Sequence, residues 1–379
     1  TISKDILYTS NTLTQKDFKL EPLEMFGSAL HATTDGIYIS SIYKYDENIG
    51  RENGPPRGVV RKCDFNFQKC FIVDTRAAKL KSLDTQVGFS VQQTNKKLFI
   101  GVTGATLVDS TNKILPRSGG ILGCGIQKIT SSIPPKCPNT GEGAFVEDLI
   151  PKEDYNFGAS MTWIPSKKTT EPQAGTMFVG ATGYYRAKIG NDYLEKTGTI
   201  FRCLTHDQPP ATADSQISQM KCIFDNPIKI SPLTPLNSKD EFGISMTNNS
   251  DYLFVGARGY SNDTGAIYRC PLEQEIIEKS SDNNNQEMNT TPYVKVRDNS
   301  EGCQRLAHFR PGSILPKPGD RYGRSLAYDK GDAKHSPILI VGAYTSEEGK
   351  GAIYTCDENG EFCEKKELPA EVKKTKNAR

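Results

Sequence analysis

Short apolar runs recur along the chain, each cut off by Gly, Asn, Asp or Pro, and almost nowhere do apolar positions repeat at helical spacing. Five runs open on an aromatic or valine followed by glycine: F-G-S-A-L from Phe26, V-G-F-S-V from Val87, F-G-A-S-M from Phe157, F-G-I-S-M from Phe242 and Y-G-R-S-L from Tyr322. In most units a second apolar run follows, as in L-F-I-G-V-T-G from Leu98, M-F-V-G-A-T-G from Met177, L-F-V-G-A-R-G from Leu253 and L-I-V-G-A-Y from Leu339. The first unit offers the weaker I-Y-I-S-S-I-Y from Ile37. A third run ends on a cysteine, as in G-V-V-R-K-C, G-T-I-F-R-C and G-A-I-Y-R-C, and a fourth begins around a second cysteine. Four short strands per unit, repeated, predict an all-β propeller of four-stranded blades, each burying its two apolar faces against its neighbours. Five repeats predict five blades, with seven as the alternative. They form a single domain over 1–368, with repeats beginning near 26, 87, 157, 242 and 322. A spare strand from Ile6, within 1–25, is placed as a ring-closing element, and 369–379 reads as a basic, flexible tail. The polar stretch from Glu273 reads as a mobile loop insertion.

The ten cysteines fall at the same two places in every repeat. A bridge in one unit must recur in the others, so the repeat selects one connectivity: Cys63–Cys70, Cys124–Cys137, Cys203–Cys222, Cys270–Cys303 and Cys356–Cys363. Each bridge is expected to staple the outer two strands of its blade, and so many paired cysteines imply an oxidising compartment. The sequons at Asn248, Asn262 and Asn289 agree with a secreted glycoprotein. A net charge of +2 gives no basic excess for nucleic acid, and no apolar stretch is long enough to span a membrane.

The order F-G, V-G-A, G-A-I-Y-R-C is complete from Phe242 to Cys270, and F-G-S-A-L-H from Phe26 precedes a C-x6-C spacing. This pattern resembles the FG-GAP repeats of integrin α-subunit propellers. The resemblance implies an extracellular adhesion or ligand-binding role. It also departs from that family. No loop carries the alternating oxygens of a calcium site, Asp329 and Asp332 being the nearest approach. Of the residues after each F-G (Ser28, Phe89, Ala159, Ile244 and Arg324) only Phe89 is aromatic. These departures argue against docking of a classical integrin β subunit.

The chemistry of catalysis is thin. His31, His206, His308 and His335 show no metal-ligand spacing, no cysteine is left over as a nucleophile, and no G-x-S-x-G elbow is present. No metal or cofactor is expected. Asp154, Asp240, Glu241 and Asp320 precede F-G motifs and are the acids that a glycosidase reading would use, although acids there more often cap turns. Lys330-Gly331-Asp332 reads as a turn. The expectation is a secreted, non-enzymatic protein that binds an extracellular protein or glycan. Its binding candidates are Phe89, Ile244, Arg324, Tyr184, Tyr185, Arg186, Arg258 and Tyr260, rich in the Tyr and Arg of interface hot spots. The alternatives are a carbohydrate-active five-bladed enzyme and a self-associating structural or adhesive protein.

Overall fold

A computed structural model describes residues 26–42, 58–67, 70–73, 86–94, 97–108, 114–126, 154–166, 175–184, 186–189, 192–194, 196–205, 220–223, 228, 230–231, 235–277, 291–296, 302–306, 309–346 and 351–366. Each F-G motif starts the first strand of an antiparallel blade, and the repeats fold as five blades in chain order. Blade one is β1 (Phe26–Thr33), β2 (Gly36–Ser41), β3 (Val59–Cys63) and β4 (Cys70–Ile72). Blade two is β5 (Val87–Gln93), β6 (Lys97–Val102) and β9 (Ile121–Gly125), with the small hairpin β7 (Leu107–Val108) and β8 (Ile114–Leu115) between its second and third strands. Blade three is β10 (Phe157–Pro165), β11 (Gly175–Ala181), β14 (Thr199–Thr205) and β15 (Met220–Ile223), with a similar hairpin of β12 (Arg186–Ile189) and β13 (Asp192–Leu194). Blade four is β16 (Phe242–Asn248), β17 (Tyr252–Ala257), β18 (Ala266–Ile277), β19 (Thr291–Val296) and β20 (Gln304–Leu306). Blade five is β21 (Tyr322–Asp329), β22 (Ile338–Ala343), β23 (Ala352–Cys356) and β24 (Cys363–Lys366). Blade five thus has a fourth strand of its own, and the proposed closing strand from Ile6 lies outside the described residues.

The cysteines sit where the repeat requires. Cys63–Cys70, Cys203–Cys222 and Cys356–Cys363 join register partners on the third and fourth strands of their blades. Cys270–Cys303 does the same job across blade four. Cys124 is also disulfide-bonded, and Cys137 lies outside the described residues. One expectation is corrected. The stretch from Glu273 is not wholly loop, because Glu273 to Ile277 continue β18 and pair with β19. Leu272 and Val294 are buried there, and the Val294 amide donates to Thr176 Oγ1 of blade three at 2.9 Å. Half-buried strands tolerate such polar alternation. No helix among the described residues is long and apolar enough to cross a membrane.

Blade-to-blade seams explain why the repeat spells F-G-x-S and V-G-A. The Ser90 hydroxyl donates to the Gly158 carbonyl at 2.7 Å, Ser160 to Gly243 at 2.6 Å, and Ser245 to Gly323 at 2.7 Å. In each case the serine of one blade fastens the F-G glycine of the next. A Cβ on Gly256 would stand 1.9 Å from the Gly323 carbonyl oxygen, so only glycine allows the approach. Parallel bridges Gly119–Phe157, Gly198–Phe242 and Gly265–Tyr322 complete these seams.

Candidate functional site

First strands of all blades begin at one end of the ring, where the second strands end: Phe242 pairs with Ala257 and Tyr322 with Ala343. The residue just before the motif has left-handed backbone in blades two to five, at Gln86, Asn156, Glu241 and Arg321. Three of these side chains meet the loop after the second strand of their own blade, and Arg321 also meets that of blade four. Gln86 accepts from Thr103 at 2.7 Å, Glu241 pairs with Arg258, and Arg321 meets Tyr344 and, at 3.2 Å, Asp263. This end of the molecule therefore carries a ring of polar pairs.

Inside that ring stand the residues after F-G. Arg324 of blade five lies over the Phe89 ring of blade two, 5.7 Å from its centroid. Blades two and five are not neighbours in chain order, so this contact marks where the strand starts converge on the axis. Ile244 and Ala159 hold the same repeat position in their blades and are buried. The Arg324 side chain has no hydrogen bond or ion pair among the described residues. Burial pulls its pKa down to about 10, with Arg258 and Arg321 adding to the effect and Tyr344 and Glu241 opposing it. A guanidinium with five free donors, resting on an aromatic face, is a receptor for a carboxylate or sulfate.

Other sequence-named residues fall elsewhere. Tyr184 packs, partly buried, against the core of blade three, 5.0 Å from the Tyr155 ring and 5.8 Å from that of Phe201. Tyr260 lies under Arg305, 4.5 Å from the guanidinium. Arg186 begins β12, and Tyr185 lies outside the described residues. Among the sequence-named acids, Asp240 and Asp320 close turns by accepting the amides of Asn237 and Lys317, at 2.7 and 2.8 Å. Burial raises the Asp240 pKa to about 6, against the backbone hydrogen bond and Arg305. Asp154 pairs with Arg117 at 2.7 Å. Glu241 pairs with Arg258, and its charge bears on Arg324.

Asn262 is exposed at this same end, whereas Asn248 is half-buried and bonded to Thr162 and the Asn249 carbonyl; Asn289 lies outside the described residues. Burial pushes the His31 pKa down to about 4, and no cluster of metal-ligating side chains occurs among the described residues. Asp332 accepts the Lys334 and His335 amides, as a turn residue does. Sequence reading missed Arg321 and Tyr344, whose only signal was their register one step from motifs already aligned.

No protein-family model and no curated protein matches the sequence. Solved structures do align along it. A thermostable family-43 glycoside hydrolase shares 10% identity over 91% of this chain and 93% of its own, at a TM-score of 0.41. The GH43_1 enzyme from Xanthomonas citri complexed with xylose shares 9% over 94% and 95%, at 0.39. A β-xylosidase shares 12% over 91% and 96%, at 0.35. Likeness at this level assigns no activity. The expectation of a non-enzymatic adhesion protein is corrected to this extent: the structures named are glycoside hydrolases and not integrins, so the integrin resemblance gains no support from them. The exclusion of catalysis is withdrawn with it.

Proposed function

We propose that this propeller is a carbohydrate-active protein that takes an acidic glycan at the axial end. The observation that supports this most is Arg324, half-buried on the axis above Phe89 with its guanidinium donors unused among the described residues. Arg324 receives the acidic group, and Phe89 offers an apolar face to a sugar ring. Few polar groups set among apolar ones are what fixes a small ligand's orientation. Glycoside hydrolysis takes two carboxyl groups, one donating a proton to the leaving oxygen and one serving as base or nucleophile. Glu241, beside Arg258, suits the second role. Its guanidinium partner fixes the carboxylate's orientation before substrate arrives. The disulfides fit secretion, where polysaccharides and glycoprotein glycans are the available substrates.

The test is reducing-sugar release from a panel of uronate-containing and neutral polysaccharides. Turnover of an acidic substrate that falls about 100-fold or more in Glu241→Gln, with binding retained, supports the assignment. No turnover of any glycan, or turnover unchanged in Glu241→Gln, overturns it.

A further inference from the structure

Among the described residues, four seams of this ring are closed and the fifth is open. In blade four, Ile267 and Phe254 are 1% and 0% exposed because they pack on Tyr322, Leu339 and Val341 of blade five. Their counterparts in blade five are Ile353, 42% exposed, and Ile340, half-exposed. Ser325 holds the position of Ser90, Ser160 and Ser245, yet it is exposed and donates to no neighbouring F-G carbonyl. A Cβ on Gly342 would meet only Ser325 of its own blade, where Gly101, Gly180 and Gly256 each abut the next blade's glycine carbonyl. Blade one shows the matching half. Leu30 is 66% exposed where Val91, Met161 and Met246 are buried, and nothing stands within 4 Å of a Cβ on Gly27. Both halves of one more seam are therefore built, and no described residue uses them.

The closed seams dictate the occupant. What sits on a blade's trailing face is an F-G-type first strand, its glycine carbonyl taking a serine hydroxyl in three of the four closed seams. Among the described residues one such strand is unseated, β1, and within the molecule it does not reach blade five. We propose that blade five of one copy docks blade one of a second copy, Ser325 donating to the Gly27 carbonyl and Ile353 and Ile340 covering Leu30. The contact is head-to-tail, so copies add in series until the ends meet. It is independent of the glycan reading, since it uses blade faces and not the axis.

Leu30→Glu and Ile353→Glu test it, because both side chains are exposed and their loss leaves each copy folded, checked by circular dichroism and melting. The native protein should sediment above monomer mass in a concentration-dependent way, and each variant alone should sediment as monomer. An equimolar mixture of the two should form dimers and nothing larger, since Leu30→Glu retains a good blade five and Ile353→Glu a good blade one. A native protein that is monomeric throughout, as it would be if its own blade one or another chain closes the ring, overturns the proposal. Oligomers that survive both substitutions, or a mixture that stays monomeric, overturn it equally.

Discussion

Lys62 is 1% exposed, and its ammonium reaches Asp35 Oδ2 at 2.8 Å across the face of Tyr38, 5.2 Å from the ring centroid. A buried ammonium is tolerated only with such a partner. Burial would raise the Asp35 pKa, but hydrogen bonds from Lys62 and Thr33 outweigh it and hold the carboxyl below its ordinary value. With the folded pKa depressed, the pair's stabilisation is present above about pH 4 and is lost as pH falls through the folded value. Asp35→Ala should then cost about 1–3 kcal/mol at pH 7, the partial exposure of Asp35 keeping the loss below that of a fully buried pair. Urea unfolding at pH 7 and pH 3 checks this, with the difference between proteins shrinking at the lower pH. An equal loss at both values contradicts it. At this scale the sequence was partly legible. Phe89 and Arg324 stood out by their place after F-G, but their contact joins blades remote in the chain, which no local pattern encodes. Tyr184 was named for its residue type, and it packs partly buried against the core of blade three, because composition does not tell which way a loop side chain turns.

Strands follow the repeat closely because each apolar run carries its own stop in a Gly, Asn or Asp turn, and because the cysteines align the third strand with the fourth. The overrun of β18 escaped notice since Glu273-Gln274-Glu275 reads as loop until β19 supplies a partner. The V-G-A glycines make the seam argument testable. Gly256→Ala sets a methyl against the backbone oxygen of Gly323 at 1.9 Å, whereas Gly342→Ala meets only the movable Ser325 hydroxyl at 2.2 Å. Chemical denaturation should show a loss of about 2–3 kcal/mol or more for Gly256→Ala and under about 1 kcal/mol for Gly342→Ala. Equal losses would mean that the seams do not govern stability. In self-association the order should reverse, Gly342→Ala weakening it while Gly256→Ala acts only through folding.

Five blades built from one repeat give this molecule a common axis, and function at that scale depends on which side chains the repeat leaves variable. Small and apolar residues fill most of the positions after F-G, while Arg324 supplies the single cation among them, next to the Arg258–Glu241 pair and the Arg321–Tyr344 contact. The repeat made the ring legible from sequence; the charge at its centre came from one exception to the repeat, whose meaning needed the fold. The most direct test of the account is calorimetric titration of the native protein and of Arg324→Met with a glucuronate-terminated oligosaccharide and its neutral glucose counterpart. The account predicts that the native protein binds the acidic sugar at least about tenfold more tightly than the neutral one, and that Arg324→Met loses this preference, a change of about 1.4 kcal/mol or more. Equal affinity for both sugars, or a preference that survives in Arg324→Met, would contradict it.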